Sequence, residues 1–390
     1  MDKADPRRIA VLGAGPIGLE AALYARRLGL AVTIYERGRP GEYVQRWGHV
    51  RMFTPFGANA TRLGRDALRA DDPQFEFPGD SDFTTGREHV AAYLDPLAHC
   101  TALADCVQLE TQVLQLGRRG LLVDDLPGDP ARGKQPFRIL VRDGKGRERI
   151  AEAEVVLDCT GTYGLHRWMG DGGIPAAGEL AAESQIAYGL DDVLGERRGH
   201  YAGRNILVVG AGYSAATTVC NLARLAEENS ATWVIWLARC TSTQPLKRNA
   251  NDPLKERDRL AVRANTLATR PDGNVEFHNQ SAVDAVEFFG PDRGFRVAAR
   301  CAGKTRTWEI DRIVANVGYL PDTGICRVLQ ASCGSRSPCQ PEPNYYILGS
   351  KSFGRDSSFL LRDGFEQVRE VFALITGKSD LNLYEQGKRA

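Results

Sequence analysis

Residues 8–36 read RIAVLGAGPIGLEAALYARRLGLAVTIYE, and this stretch decides the fold. Arg8–Leu12 is a short unbroken apolar run, the pattern of a strand covered on both faces in a parallel sheet. Gly13-Ala14-Gly15-Pro16-Ile17-Gly18 follows, and then LEAALYARRLG with apolar residues at helical spacing. After Gly29 and Leu30, AVTIYE reads as a second strand that closes on Glu36. Each part of this strand, turn, helix and strand has a mechanical role. Gly13 permits the tight turn, Gly15 lets a pyrophosphate approach the backbone, and Gly18 lets helix and strand pack closely. Pro16 and Ile17 open the helix whose N-terminus faces the phosphates, and Glu36 accepts from a ribose hydroxyl, with Arg37 beside it. The turn alone is weak, but the acid 18 residues past Gly18 makes the fingerprint strong.

The same pattern returns near the middle of the chain. Asn205–Val209 (NILVV) leads into Gly210-Ala211-Gly212-Tyr213-Ser214-Ala215, then the apolar-periodic ATTVCNLARL, then TWVIWLAR. Ala215 stands where the third glycine would be, and the second strand runs out into Arg239 rather than an acid. A carboxylate suits a free ribose diol, whereas an arginine suits a 2′-phosphate. The first site is therefore expected to take a dinucleotide with a free ribose, and the second NADPH.

Composition narrows the partners. The 390 residues are 43% hydrophobic and 25% charged, so the chain is long enough for two globular domains and is not disordered or fibrous. Lys plus Arg number 50 against 49 Asp plus Glu, a net charge of +1, so no global field attracts nucleic acid or an anionic membrane. No apolar run approaches the roughly 20 residues of a membrane span. Nine cysteines include no Cys-x-x-Cys pair, which suggests neither a disulfide framework nor a zinc ribbon. With no signal-peptide pattern at Met1–Leu12, the expectation is a reduced, cytoplasmic protein without a metal.

Two dinucleotide fingerprints about 200 residues apart point to a flavoprotein fed by a nicotinamide. The chain resembles the superfamily of flavoproteins with two dinucleotide-binding domains. Within it the chain looks like a divergent class B flavin-dependent monooxygenase, of the flavin-containing or amine N-hydroxylase type. Val155–Gly161 (VVLDCTG) matches the superfamily's ATG strand end, and Ile313–Pro321 (IVANVGYLP) its TGYxP strand end. Tyr346–Lys351 (YILGSK) and the following FLLRDGFEQVREVFALI resemble the segment that caps the flavin, with Gly349-Ser350 where the family has Gly-Asp. The resemblance implies an α/β fold of two Rossmann-like domains, the NADP(H) domain inserted into the FAD domain. Residues 1–190 and 320–390 are expected to form the FAD domain and 195–318 the NADP(H) domain, with hinges at Pro175–Gly178 and Arg197–Gly203.

For FAD the implied contacts are Gly13, Gly15, Pro16, Ile17, Gly18, Glu36, Arg37, Thr160, Gly161, Gly349, Leu360 and Leu361. For NADPH they are Gly210, Gly212, Tyr213, Ser214, Ala215, Arg239, Gly318 and Tyr319. The resemblance also implies the chemistry: a peroxyflavin that oxygenates an amine nitrogen or a sulfur, with a small-molecule substrate and molecular oxygen as partners. A homodimer is compatible with it. No FxGxxxH motif precedes the second turn, so Baeyer–Villiger chemistry is not implied. The alternative enzyme is an NAD(P)H-dependent flavin oxidoreductase passing electrons to a sulfur compound, disulfide or quinone. A non-catalytic nucleotide sensor is the third reading.

The excursion Trp47–Phe56 (WGHVRMFTPF) mixes aromatics with a histidine and an arginine, and its equivalent in the monooxygenases runs beside the flavin ring. Trp47, His49 and Thr54 are the first catalytic or substrate-contact candidates, with core packing as the plainer role. The polar run Thr241–Leu260 is expected to form a loop over the nicotinamide. Lys247 or Arg248 would lie near the 2′-phosphate and Asn249, Asn251 or Asp252 would face substrate. Cys159, Cys326, Cys333 and Cys339 are the thiols to examine if electrons leave through sulfur.

Overall fold

The computed structural model describes residues 7–249, 251–270, 273–331, 336–354 and 358–385. The chain divides into two compact units, one formed by Met1–Leu165 with Leu320–Ala390 and the other by His166–Tyr319.

The first unit is built on a five-stranded sheet. Its strands are β1 (Arg8–Leu12), β2 (Ala31–Tyr35), β3 (Val107–Gln108), β7 (Val155–Asp158) and β15 (Tyr345–Ile347), ordered β15-β7-β1-β2-β3 with every pairing parallel. Four of the five residues of β1 are buried, as an apolar strand with both faces covered must be. Between β3 and β7 an antiparallel three-stranded sheet forms from β4 (Gln112–Arg118), β5 (Phe137–Arg142) and β6 (Glu148–Ala153). Helix Pro16–Arg27 follows β1 with Pro16 in its first turn, where the missing N–H is not needed. The long C-terminal helix, Leu361–Thr376, buries Phe365, Val368, Val371, Phe372 and Ile375, the apolar positions its sequence spacing marks. It packs on the first helix, with Phe372 stacked on Tyr24 at 5.1 Å between ring centroids.

The second unit repeats this plan. Strands β8 (Asn205–Val209), β9 (Trp233–Leu237), β10 (Val275–His278) and β14 (Arg312–Ala315) form a parallel sheet ordered β10-β9-β8-β14. An antiparallel sheet of β11 (Ser281–Phe288), β12 (Phe295–Cys301) and β13 (Lys304–Ile310) is inserted before β14. Both units are thus mixed α/β structures of the Rossmann kind.

The second unit starts at His166, earlier than the boundary near residue 190 expected from sequence. Three isolated bridges account for this, Gly170 to Val283, Ala177 to Ala285 and Ala187 to Val314, which attach the extended segment 166–190 to β11 and β14. Pro175–Gly178 is therefore no hinge. Ala177 donates to Asp284 O at 3.0 Å, and a Cβ at Gly178 (φ +82°) would lie 2.0 Å from Val286 O. Arg197–Gly203 also lies inside this unit, where Tyr201 is buried and donates to Asp191 at 2.6 Å. The polar run from Thr241 is a loop only as far as Leu254, because Lys255–Thr269 is helical. Asp252 ends the loop by accepting from Leu254 N–H at 2.9 Å and pairing with Arg257 at 2.7 Å.

Behind the first helix of the first unit, Glu20 is 1% exposed and both of its carboxylate oxygens accept from the Thr61 hydroxyl at 3.0 Å. Burial pushes this carboxyl up to about 7, against the smaller opposing effect of the Thr61 hydrogen bond. Between the ordinary carboxylate range, about 4.3, and about 7 the folded protein therefore binds a proton that the unfolded chain has released. Stability should fall as pH rises through that window, by about 3–4 kcal/mol in all. Chemical denaturation from pH 4.5 to 8 should show that decline in the wild type and a flatter profile for Glu20→Gln, which should be the more stable of the two at pH 8.

Candidate functional site

The first glycine turn is shaped by backbone contacts that exclude a side chain at two of its three glycines. A Cβ at Gly13 (φ +96°) would lie 3.0 Å from Cys159 O, and one at Gly18 only 1.9 Å from Gly13 O. Gly15 differs, for a Cβ there would meet no heavy atom within 4 Å. That open side, at the N-terminus of helix Pro16–Arg27, is where backbone N–H groups can receive phosphate oxygens. Glu36 is fixed at the end of β2 by two backbone donors, Ala14 N–H to Oε2 and Gly38 N–H to Oε1, both at 2.8 Å. Each oxygen keeps lone pairs for further donors, as a ribose diol requires. Arg37 hydrogen-bonds the Tyr43 hydroxyl and lies 5.1 Å over that ring.

Segments distant in sequence converge on this turn. A Cβ at Gly349 (φ +73°) would be 3.3 Å from Ile17 Cγ1, and one at Gly364 would be 2.4 Å from Ile17 Cδ1. The closing turn at Gly349 and the start of helix Leu361–Thr376 therefore both seat on Ile17. Gln367 of that helix holds the closing turn, accepting from Gly349 N–H at 2.8 Å and donating to Ser352 Oγ at 2.8 Å. Leu360 precedes the helix, with its N–H bonded to the Asp363 carboxylate at 2.8 Å. A Cβ at Gly161 (φ +68°) would come within 3.7 Å of Ser350 Oγ, so the turn after β7 also meets the closing turn. The structure thus gathers Gly13, Gly15, Pro16, Ile17, Gly18, Thr160, Gly161, Gly349 and Leu361 around one turn.

Four residues of this region escaped the sequence reading, Asp158, Tyr345, Lys351 and Gln367. Asp158 at the end of β7 is fully buried and accepts from Lys351 Nζ at 2.6 Å, the Tyr345 hydroxyl at 2.6 Å and the Thr160 hydroxyl at 2.6 Å. Burial is the largest influence on the Asp158 carboxyl and would raise it, but the Lys351 ammonium and the hydrogen bonds from Lys351, Thr160 and Tyr345 together outweigh burial and hold the group below its usual range. The Thr160 hydroxyl is thereby engaged with Asp158 and Lys351. The signal was in the sequence, since a charged residue closing an apolar strand needs a buried partner.

The second turn follows the same logic in its own unit. A Cβ at Gly210 (φ +142°) would lie 2.2 Å from Asn316 O, whereas one at Gly212 would meet nothing within 4 Å. Trp236 of β9 donates from Nε1 to Gly210 O at 2.7 Å. Asn316 accepts from Thr218 at 2.6 Å and donates to Gly189 O at 2.7 Å. Tyr213, Ser214 and Ala215 form the first turn of helix Tyr213–Glu228, and Arg257 lies 5.7 Å over the Tyr213 ring. Gly318 (φ +86°) is open, and Tyr319 donates to Tyr188 O at 3.0 Å. Arg239, two residues past β9, is exposed and makes no ion pair among the described residues.

The catalytic candidates belong to both units, Trp47, His49 and Thr54 to the first and Asn249 to the second. Trp47 caps helix Glu42–Arg46, whose start is tied to the first turn by Gly41 N–H donating to Ala14 O at 2.9 Å. Trp47 Nε1 and His49 Nε2 are buried atoms without a hydrogen-bond partner among the described residues. The Thr54 hydroxyl is engaged with Asn59 at 2.7 Å. Asn249 belongs to the second unit, where its side chain accepts from Asn251 N–H at 3.1 Å in a local turn. Arg248 pairs with Asp258 at 2.8 Å and Asp252 with Arg257, while Lys247 is exposed. Desolvation pushes the Cys159 thiol well above its ordinary range, and burial also raises Cys326. Cys339 is exposed, and Cys333 lies outside the described residues. Among the described residues no group of three or more His, Cys, Asp or Glu could hold a metal ion, and no helix is long and apolar enough to cross a membrane.

The pyridine nucleotide-disulphide oxidoreductase family matches residues 1–45. No curated protein matches the sequence. Solved structures match nearly the whole chain. A bacillithiol disulfide reductase from Bacillus cereus aligns over 96% of this chain and 99% of its own, at 15% identity and a TM-score of 0.69. The FAD-bound cadaverine monooxygenase of desferrioxamine biosynthesis from Erwinia amylovora aligns over 96% and 95%, at 16% identity and a TM-score of 0.66. A flavin-containing monooxygenase from Stenotrophomonas maltophilia aligns over 96% and 100%, at 18% identity and a TM-score of 0.59. The chain has the fold of the two-dinucleotide-domain flavoproteins, which these disulfide reductases and monooxygenases share.

The contrast between the glycines gives a direct test. Gly18→Ala should destabilise the protein by about 2–3 kcal/mol, because the new methyl meets rigid backbone. Gly15→Ala should keep thermal stability within about 1 kcal/mol of wild type yet weaken nucleotide binding in a calorimetric titration.

Proposed function

We propose that this chain is an FAD- and NADPH-dependent monooxygenase that oxygenates a nitrogen or sulfur atom of a small molecule. The observation that carries the dinucleotide part is the repeated open cradle, one per unit, at Gly15 and at Gly212. The residues present fit these groups. Glu36 offers a fixed carboxylate to a ribose diol in the first unit, and Arg239, exposed and without an ion pair among the described residues, offers a guanidinium to a 2′-phosphate in the second. Trp47 Nε1 and His49 Nε2, buried and without a hydrogen-bond partner among the described residues, are polar atoms that a bound ring or substrate can satisfy. Bound FAD would accept two electrons from NADPH and pass them to oxygen. The overall balance is substrate, O₂, NADPH and H⁺ giving oxygenated substrate, NADP⁺ and water.

Oxygen rather than a protein thiol is favoured as acceptor by the state of the cysteines. Cys159, next to the first turn, has its thiol raised by desolvation, so the nucleophilic thiolate is suppressed. In this reading Cys159 serves as a small apolar side chain. Trp47 and His49 contact flavin or substrate, and Thr54 shapes the loop through Asn59. A reductase of small disulfides or quinones is the second reading, supported by the likeness to the Bacillus cereus enzyme over 96% of the chain.

The test is anaerobic reduction of the FAD-loaded protein with NADPH, followed by rapid mixing with oxygen. A spectrum distinct from both oxidised and reduced flavin, lasting while NADP⁺ is bound, is expected. Direct return to oxidised flavin would favour the reductase, and failure of NADPH to reduce the flavin would overturn both. In the same assay Arg239→Gln should weaken NADPH by about tenfold and leave NADH unchanged, an effect that salt should diminish. Equal losses for both nucleotides would remove the 2′-phosphate from the account.

A further inference from the structure

Strand β7 is apolar through Leu157 and then ends on Asp158, whose partner Lys351 lies 193 residues further along the chain. Neither side chain has any exposed surface. Pairing of this kind is not required for folding, because apolar side chains of similar volume commonly replace a buried ion pair without loss. What the pair does is geometric. Lys351 Nζ donates to Asp158 Oδ2 at 2.6 Å and to Thr160 Oγ1 at 3.0 Å. Thr160 returns two bonds to Asp158 Oδ1, from its hydroxyl at 2.6 Å and its N–H at 3.1 Å. The Tyr345 hydroxyl completes the set at 2.6 Å.

These bonds join two backbone turns, Cys159–Gly161 and Gly349–Lys351. Each also packs against the first glycine turn, the former through Cys159 O opposite Gly13 and the latter through Gly349 opposite Ile17. Both walls of the cradle are therefore set by one buried charge pair. A charge-assisted hydrogen bond has a preferred length and direction, so a tie of this kind fixes the separation of the two turns more narrowly than non-directional apolar contact would.

We infer that Asp158 and Lys351 are positioning residues for the flavin dinucleotide, holding the Thr160–Gly161 turn and the Gly349 turn at the spacing the cofactor needs. This rests on the reading of the first unit as the FAD site. Neither side chain touches the cofactor in this account, since both point into the protein and act through Thr160 and the two turns.

The experiment is FAD titration of the apoprotein, followed by flavin fluorescence, alongside thermal unfolding of the same apoprotein. Asp158→Asn and Lys351→Met each leave a buried group without its partner and should lower both apoprotein stability and FAD affinity. The double variant Asp158→Asn/Lys351→Met removes the orphaned charge, so its apoprotein should regain wild-type heat stability. It should still bind FAD at least about tenfold more weakly, equivalent to about 1.4 kcal/mol, and with a displaced visible spectrum for the flavin that remains bound. A double variant that binds FAD as tightly as wild type would overturn the inference and leave the pair a folding element. Should that variant not fold, Thr160→Val, which removes only the hydroxyl the pair holds, should weaken FAD in the same way, and wild-type affinity there would likewise overturn it. Failure of the wild-type apoprotein to bind FAD would instead refute the reading of the first unit.

Discussion

The contact between Gly18 and the carbonyl oxygen of Gly13 governs the first unit. A Cβ at Gly18 would stand 1.9 Å from that oxygen, so the helix can begin where it does only without a side chain there. Because the helix begins so close to β1, its free N–H groups face the turn, and Gly15 is left with nothing opposite it. The same closeness brings Ile17 against Gly349 and Gly364, so the closing turn and the last helix are seated by the first turn. A compact backbone contact at one point thus decides where strand ends from three parts of the chain can meet. The second unit solves the same problem with a different close pair, Gly210 against Asn316 O, and can therefore tolerate Ala215 in the third position.

How much of this was legible follows from how local each feature is. The two strand, turn and helix units could be read because every step of the pattern lies within some thirty neighbouring residues and each glycine has its own mechanical reason. The last helix was equally plain, since Phe365, Val368, Val371, Phe372 and Ile375 recur on one face. The start of the second unit was not, because the bridges at Gly170, Ala177 and Ala187 join extended segments to strands more than a hundred residues away. No local periodicity records such a pairing. The helix Lys255–Thr269 was hidden by polar composition, and its start depends on Asp252 capping the loop and pairing with Arg257.

At the site, sequence reading named the residues that approach a nucleotide by backbone and missed those that hold them. Glycines announce themselves because few other residues can replace them. Asp158, Lys351, Tyr345 and Gln367 do not, for their roles exist only in three dimensions. Thr160 shows the consequence: it stands at the right place, yet its hydroxyl is committed to Asp158 and Lys351. Thr54 and Asp252 are similar, polar residues in a promising stretch whose side chains are taken up by local structure.

Two buried ion-pair clusters of the first unit are of different kinds. Glu342 is clamped between Arg118 and Arg132, all three without exposed side-chain surface, and Gln330 N–H adds a fourth contact at 3.0 Å. That cluster ties the β4-β5-β6 sheet to the chain before β15, and nothing in it adjoins the glycine turn. Asp158 and Lys351 form the other kind, for their neighbours Cys159 and Gly349 line the turn itself. That pair is compensated and adds no net charge of its own, which leaves the Glu36 carboxylate, held by Ala14 N–H at 2.8 Å, as a charge fixed at the turn itself.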